Sequence, residues 1–352
     1  MKFLYIILCT VACSNAASKA KEEEKLREQI VHDLGLSRIP DVHKANVSAE
    51  EYALKLDIYR RSMEQTNAIR ELQDHFMEHL ESTAPSSSTL LYTGLRRGKR
   101  SLHNSVILKF DLVDLQANTG AVFVTSARLT VNLRQVKDGS FPGLLEDQVC
   151  AIQLVKEEEG LQLDCSTSQE SDEEMVVVLD VTHALQAWMI DPTTDLGILI
   201  RAVGWEIEGE PAVAVEYVVG DTPRVKRDLY RSTEFDVVSK SKTDCKSGSR
   251  GRCCRQSMPV DLRQLKGFEF IMQPDVFDAY YCKGKCHSRD LALNDHSLLQ
   301  YFMHLRDSKV KKPCCSPRKY ESRDILHLDE MDSTRLKVTN WKNIIVRECA
   351  CA

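Results

Sequence analysis

Nine cysteines fall in the last 108 residues of this chain in a fixed rhythm: Cys245, the adjacent Cys253 and Cys254, Cys282-Lys-Gly-Lys-Cys286, the adjacent Cys314 and Cys315, and Cys349-Ala-Cys351. Thiols at such density can hold a metal, exchange electrons or lock a fold as disulfides. The compartment decides among these. Met1-Lys2, an apolar run from Phe3 to Ala12 and the small residues Ser14, Asn15 and Ala16 follow the charge, core and exit order of a signal peptide spanning 1–16. No other stretch approaches the 18 apolar residues of a membrane span, so an extracellular product without membrane insertion is expected. Oxidised cysteines are then permitted, and an odd count leaves one thiol free or joined to another chain.

Other chemistries find little support. Zinc knuckles of the Cys-x-x-Cys kind are missing, and His287, His296, His304 and His327 lack close ligand spacing and are expected on the surface. There is no nucleophile elbow, no His-Glu-x-x-His and no phosphate-binding glycine loop, so no enzyme, cofactor, metal or nucleic-acid partner is expected.

The elements that must position the cysteines are small. Two hairpins, Pro259 to Tyr281 and Tyr320 to Arg347, the second turning near Met331 to Ser333, flank a helix from Asn294 to Arg306. That helix carries Leu298, Leu299, Phe302 and Leu305 along one face with no core nearby to receive them, which favours a partner subunit. A module of this size with short strands is held by disulfides, each closing a loop of roughly 60 residues and contributing up to about 4 kcal/mol. Spacing alone leaves the connectivity open.

Upstream, residues 17–81 read as two amphipathic helices. The first carries Leu26, Ile30 and Leu34 and ends at Gly35; the second opens at the capping box Ser48-Ala-Glu-Glu51 and runs to about Leu80. Neither buries much apolar surface alone. Asn46-Val-Ser48 is a glycosylation acceptor. Residues 82–105 have linker composition and contain Arg97-x-Lys99-Arg100, a basic cleavage pattern or simply a solvated loop. Residues 106–223 alternate short β-rich runs with turns, as in a β-sandwich-like domain; a helix near Thr182 to Met189 packs Trp188 on the sheet. Cys150 and Cys165 there suggest a local bridge, with a second chain or a covalent carrier as the alternatives.

Arg224-x-Lys226-Arg227 suits a secretory endoprotease with carboxylate-lined subsites, and it stands where net charge changes sign. Residues 1–227 hold 24 Lys+Arg against 35 Asp+Glu, net −11; residues 228–352 hold 23 against 17, net +6. The two halves should attract each other, and the basic half could also meet an acidic matrix polysaccharide.

Cys282-x-Gly284-x-Cys286, the step Cys314-Cys315-Ser-Pro317 and the terminal Cys349-x-Cys351-x resemble the transforming growth factor β superfamily of secreted ligands, over the whole module 228–352 with its knot core at 245–352. Two helices and a sandwich ending at a basic site are similar to that family's propeptide, here 17–227. The resemblance implies an all-β-rich cystine knot of two hairpin fingers and one helix behind an α+β propeptide. It implies bridges Cys282 to Cys349 and Cys286 to Cys351 forming a ring, Cys253 to Cys315 passing through beside Gly284, an additional bridge Cys245 to Cys254, and Cys314 joining two chains as a homodimer. It implies type I receptor kinases at the seam near Leu298 and Phe302, and type II receptors at Asp324, Leu326 and Leu328, with the propeptide staying bound non-covalently. The family's Gly-Trp-x-Trp appears as Gly267-Phe268-Glu269-Phe270, so Phe268 and Phe270 keep an apolar contact without the indole donor. A secreted cystine-knot antagonist or matrix protein that assembles no receptors is the rival reading.

Overall fold

The computed structural model describes residues 21–80, 86–93, 95–96, 105–112, 115, 121–135, 148–156, 159–167, 174–202, 205–220, 244–245, 251–286 and 295–351. The leader 1–16, Arg97-x-Lys99-Arg100 and Arg224-x-Lys226-Arg227 lie outside the described residues, as does His287. The chain divides into two units. The first holds the described residues up to 223 together with Gly267–Met272 and Leu326–Thr339; the second holds the rest of the cysteine-rich region.

In the first unit, helix α1 (residues 21–33) ends where Gly35 takes a left-handed φ of 71°, which lets Leu36 N–H reach back to the Val31 carbonyl. Helix α2 (Ala49–Leu80) starts on Ser48, whose hydroxyl accepts from Glu51 N–H at 3.1 Å. Its buried face, Ile58, Tyr59, Met63 and Ile69, is not left waiting for the C-terminal module: α2 packs on α3 (Thr182–Ile190) and on the N-terminal strands.

Those strands are β1 (Ser86–Thr93), β2 (Leu95–Arg96), β3 (Ser105–Lys109), β4 (Ala121–Gln135), β5 (Gln148–Lys156), β6 (Glu159–Thr167), β7 (Glu174–Asp180), β8 (Ile198–Ala202) and β9 (Trp205–Gly220). They form two sheets. One runs β1-β9-β4-β7, and the other contains β6-β5-β8-β3-β2. Alternation in β4 buries Leu129, Val131 and Leu133 against Val213 and Val215 of β9 and Val177 and Leu179 of β7. Two expectations change here. The serine-rich segment read as linker is strand β1 over Ser86–Thr93, fixed by pairing along β9 from Ser86↔Val219 to Thr93↔Ala212. The hairpin of β5 and β6, which the run of β-rich segments omitted, places Cys150 opposite Cys165, and the two are bonded. Trp188 is fully buried in α3.

The cysteine-rich region supplies β10 (Cys254–Gln256), β11 (Pro259–Asp261), β12 (Ile271–Gln273), β13 (Val276–Asp278), β14 (Tyr281–Lys283), helix α4 (Asp295–Arg306), β15 (Cys315–Leu328) and β16 (Leu336–Cys351). β10 pairs with β14 and β11 with β13, both antiparallel. The tips of β15 and β16 enter the second sheet of the first unit, whose full order is β12-β15-β16-β6-β5-β8-β3-β2. Among the described residues, no helix is long and apolar enough to cross a membrane.

Candidate functional site: the cystine ring and the finger tips

In the second unit, bridges Cys282–Cys349 and Cys286–Cys351 close a ring from residues 282–286 and 349–351. Cys253–Cys315 crosses it. The sulfurs of Cys253, Cys286 and Cys351 lie within 4.8 Å of one another, and because all three are oxidised the cluster is a crossing of bridges rather than a metal cage. Gly284 makes the passage feasible. Its φ is 121°, and a β-carbon there would stand 2.1 Å from the Arg252 carbonyl oxygen and 2.9 Å from Cys253 N. Cys245–Cys254 closes a short loop beside it. The neighbouring Arg255 is buried, giving Nε to Asp244 at 2.6 Å and Nη1 to the Val346 carbonyl at 3.2 Å, with its guanidinium 4.0 Å above the Tyr280 ring. Burial, reinforced by the Asp278 carboxylate, raises the Tyr280 phenol above its ordinary range.

Cys314 is the one unbonded cysteine among the described residues, and it is exposed. Nearby α4 leaves Leu298 at 50%, Phe302 at 49% and Leu305 at 67% exposure, an apolar face without a cover.

The finger tips are different. Within the first unit, Val338 and Thr339 of β16 pair in parallel with Leu161 and Gln162 of β6, so the N-terminal sheet adds a strand to the tip of the second finger. The Glu51 carboxylate, which in a reciprocal capping box would return to Ser48, instead accepts from Leu336 N–H at 3.0 Å. Lys55, buried one turn later, binds Glu159 and lies 4.0 Å from Glu51, and Glu159 reaches Arg335 at 3.3 Å. Arg38 Nε donates to the Glu330 carbonyl, Asn46 N–H to the Ser333 carbonyl, and the Arg27 side chain occupies the space where a β-carbon of Gly267 would stand. Asn46 itself is exposed. Sequence reasoning named none of Lys55, Glu159 or Arg335. Only Glu51 carried a signal, and that signal pointed to a local partner.

His327 also departs from expectation. It is fully buried, not on the surface. A carbonyl can only accept, so Nδ1 carries the proton donated to Leu328 O at 2.7 Å, and Nε2 accepts from the Thr339 hydroxyl at 2.8 Å. The Phe270 ring meets the imidazole edge-on at 6.2 Å. Burial, only partly opposed by the Leu328 carbonyl, pushes its pKa down to about 4.

Of the residues expected to meet receptors, only Leu298 and Phe302 are open to solvent. Asp324, Leu326 and Leu328 share one face of β15 at 1% exposure or less, with Asp324 accepting from Asn340 Nδ2 at 2.6 Å; Phe268 and Phe270 are buried as well. An exposed hairpin face at these positions is therefore not a feature of this chain.

An α+β region followed by a two-fingered module with a cystine ring crossed by a third bridge and one spare thiol defines a cystine-knot protein. Residues 252–351 match the family of transforming growth factor beta like domains. Similar proteins include bone morphogenetic protein 8A of Homo sapiens (28% identical, 58% of this chain and 58% of that one), bone morphogenetic protein 3 of Xenopus laevis (30%, covering 42% and 34%) and Protein 60A of Drosophila virilis (21%, covering 94% and 89%). The chain thus spans little more than half the length of the human relative and about a third of the frog one. Residues 252–351 thus carry a transforming growth factor beta like domain, and the chain is similar beyond it to bone morphogenetic proteins and Protein 60A.

Proposed function

We propose that the chain is a secreted ligand precursor, cut after Arg227 to release a homodimer joined through Cys314, which binds type I and type II receptor serine/threonine kinases and brings them together to activate SMAD proteins. The observation that carries this reading is the exposed thiol of Cys314 in the same module as the uncovered apolar face of α4. A second copy placed across a two-fold axis satisfies both, burying Leu298 and Phe302 and forming one disulfide. A two-fold dimer then offers every receptor surface twice, and on a membrane that duplication gains avidity.

In this reading the N-terminal region remains attached after cleavage through β6, Glu51, Lys55 and Arg38, and keeps Leu326 and Leu328 from type II receptors until it leaves. Within the superfamily, Cys253-Cys-Arg-Gln-Ser-Met258, Lys266-Gly-Phe-Glu-Phe-Ile271 and Ile325-Leu-His-Leu-Asp-Glu330 look similar to the insect ligand Maverick. The test is to secrete wild-type and Cys314→Ser chains from cultured cells and run them with and without reductant. Each product is then added to receptor-bearing cells and SMAD phosphorylation is read. The expectation is a reducible dimer that signals and a variant that loses both properties. A dimer that binds cells without phosphorylating SMAD would favour the antagonist reading instead.

A further inference from the structure

At the second finger tip the apolar residues are covered, but the turn that joins β15 to β16 stays open. Leu326 and Leu328 are buried, whereas Met331 is 44% exposed and Asp332, Thr334 and Arg335 are exposed beside it. The turn is also ordered. Asp329 Oδ1 accepts from Met331 N–H at 2.7 Å, Asp332 Oδ1 accepts from Thr334 N–H at 2.9 Å, and Arg38 Nε donates to the Glu330 carbonyl at 2.8 Å. An ordered turn that presents a soft, adaptable thioether can be gripped by another macromolecule at little entropic cost.

The residue that meets this turn from the N-terminal region is Asn46. Its backbone N–H donates to the Ser333 carbonyl at 3.0 Å, and the residue itself is exposed. Asn46-Val47-Ser48 is the one Asn-x-Ser/Thr sequence in the chain, so the single acceptor for an N-linked sugar stands one hydrogen bond from the turn. The main chain at this position is engaged with the finger, which leaves the side chain as the group that can be extended outward.

We propose that Asn46 carries an N-linked oligosaccharide, and that this oligosaccharide shields the turn 329–335 from other macromolecules while the N-terminal region is in place. Both parts rest on the reading that the chain is secreted, because the donor, a lipid-diphosphate oligosaccharide, is met in the secretory pathway. In the transfer, Asn46 Nδ2 loses a proton and bonds to the anomeric carbon of the sugar. The bond from that carbon to the diphosphate oxygen breaks, and the lipid diphosphate leaves. Ser48, whose hydroxyl the transfer needs free, caps α2 by accepting from Glu51 N–H at 3.1 Å, so the sugar is added before α2 is capped. The added group is bulky and polar, which suits an exposed asparagine and lets it sweep the space over the neighbouring turn. It belongs to the N-terminal region, so it leaves the finger whenever that region does.

The test secretes wild-type, Asn46→Gln, Ser48→Asp and Ser48→Thr chains from cultured cells and treats the folded products with peptide N-glycosidase. Wild type and Ser48→Thr should lose the mass of one oligosaccharide. Asn46→Gln, which keeps the backbone N–H, and Ser48→Asp, which keeps a capping oxygen, should lose none. Shielding is read with an Fab selected on the enzyme-treated chain to bind Met331–Arg335. Association should be about 10-fold slower on the glycosylated chain than on enzyme-treated wild type or Asn46→Gln, because the sugar narrows the orientations that can dock. Oxidation of Met331 by hydrogen peroxide, a reagent small enough to pass the sugar, should proceed equally in all of them. A secreted wild-type chain whose mass the enzyme leaves unchanged overturns the site. Equal Fab association with and without the sugar overturns the shield, as does peroxide oxidation that slows along with it, since the turn itself has then changed. A chain kept in the cells with its leader uncut and no sugar overturns secretion, the reading beneath both.

Discussion

Acid should open the finger tip through His327. In the folded chain the ring titrates near pH 4, whereas in an unfolded chain it titrates near its ordinary 6.5. A histidine with a depressed folded pKa leaves stability unchanged above about pH 6.5, where both states are neutral. As pH falls from there toward 4 the open state binds the proton first, and stability is lost. At about 1.4 kcal/mol per pH unit the loss approaches about 3 kcal/mol at pH 4 and then levels off. Lys337 opposes protonation and Asp329 favours it, but burial dominates both. Thr339, the hydroxyl partner of Nε2, pairs with Gln162 of β6, so the opening should reach the strand shared with the N-terminal sheet. Hydrogen exchange of residues 336–339, corrected for intrinsic rates, should show protection falling more than 100-fold between pH 7.5 and 4 in the intact precursor. His327→Gln, which keeps an amide donor and acceptor without the titration, should remove most of that fall. Equal acid sensitivity in both chains would refute the reasoning and shift the cause to the carboxylates nearby.

Other outcomes follow from burial and closeness. Lys55→Met removes the buried ammonium between Glu51 and Glu159 and leaves only Arg335 on Glu159, which should cost about 3 kcal/mol and lower the denaturant midpoint of the chain; an unchanged midpoint would remove Lys55 from the contacts that hold the finger tip. Gly284→Ala places a methyl group against the Arg252 backbone at a φ unsuited to alanine, so secretion of correctly bridged chain should collapse, as read by disulfide mapping of what is exported. Leu326→Asp buries a carboxylate with no partner, and the expected result is loss of secreted precursor rather than a selective loss of receptor binding; normal secretion would contradict the burial of this site.

Oxidised sulfur in the small C-terminal module was legible from composition while the pairing that makes the ring came only with the family resemblance, and α4 was legible because its leucines repeat at helical spacing with nothing local to cover them. β1 was hidden behind serines whose strand conformation comes from pairing with β9, a partner 127 residues away at Thr89↔Glu216. The hairpin of β5 and β6 was obscured by Gln153, a polar residue wholly buried because its amide meets Gln65 and His183. His327 looked like a surface residue because a polar side chain among alternating ones normally faces water; only a second strand bearing Thr339 makes its burial affordable. Glu51 illustrates the same limit. Its spacing from Ser48 specifies a helix start, and nothing local specifies that its carboxylate serves the backbone of a residue 285 positions later.

The parallel pairing of β16 with β6 has a consequence for how the precursor must behave. Within the sheet, β16 stands between β15 and β6, so removing β6 turns the Leu336–Thr339 segment into an edge with unpaired backbone donors and acceptors. An exposed edge next to apolar tip residues is an invitation to aggregate during folding. Supplying β6 from the same chain solves this by proximity, since an intramolecular strand arrives at high effective concentration and leaves slowly once Glu51 has capped Leu336 and Lys55 has ordered both carboxylates. The contacts that guard the tip are thus the same ones that would have to break if Leu326 and Leu328 are to meet a receptor, as proposed above. Weakening them would weaken protection of the edge as well, so in the reading proposed above the same few charged groups and one imidazole set both the guarding of the tip and its release.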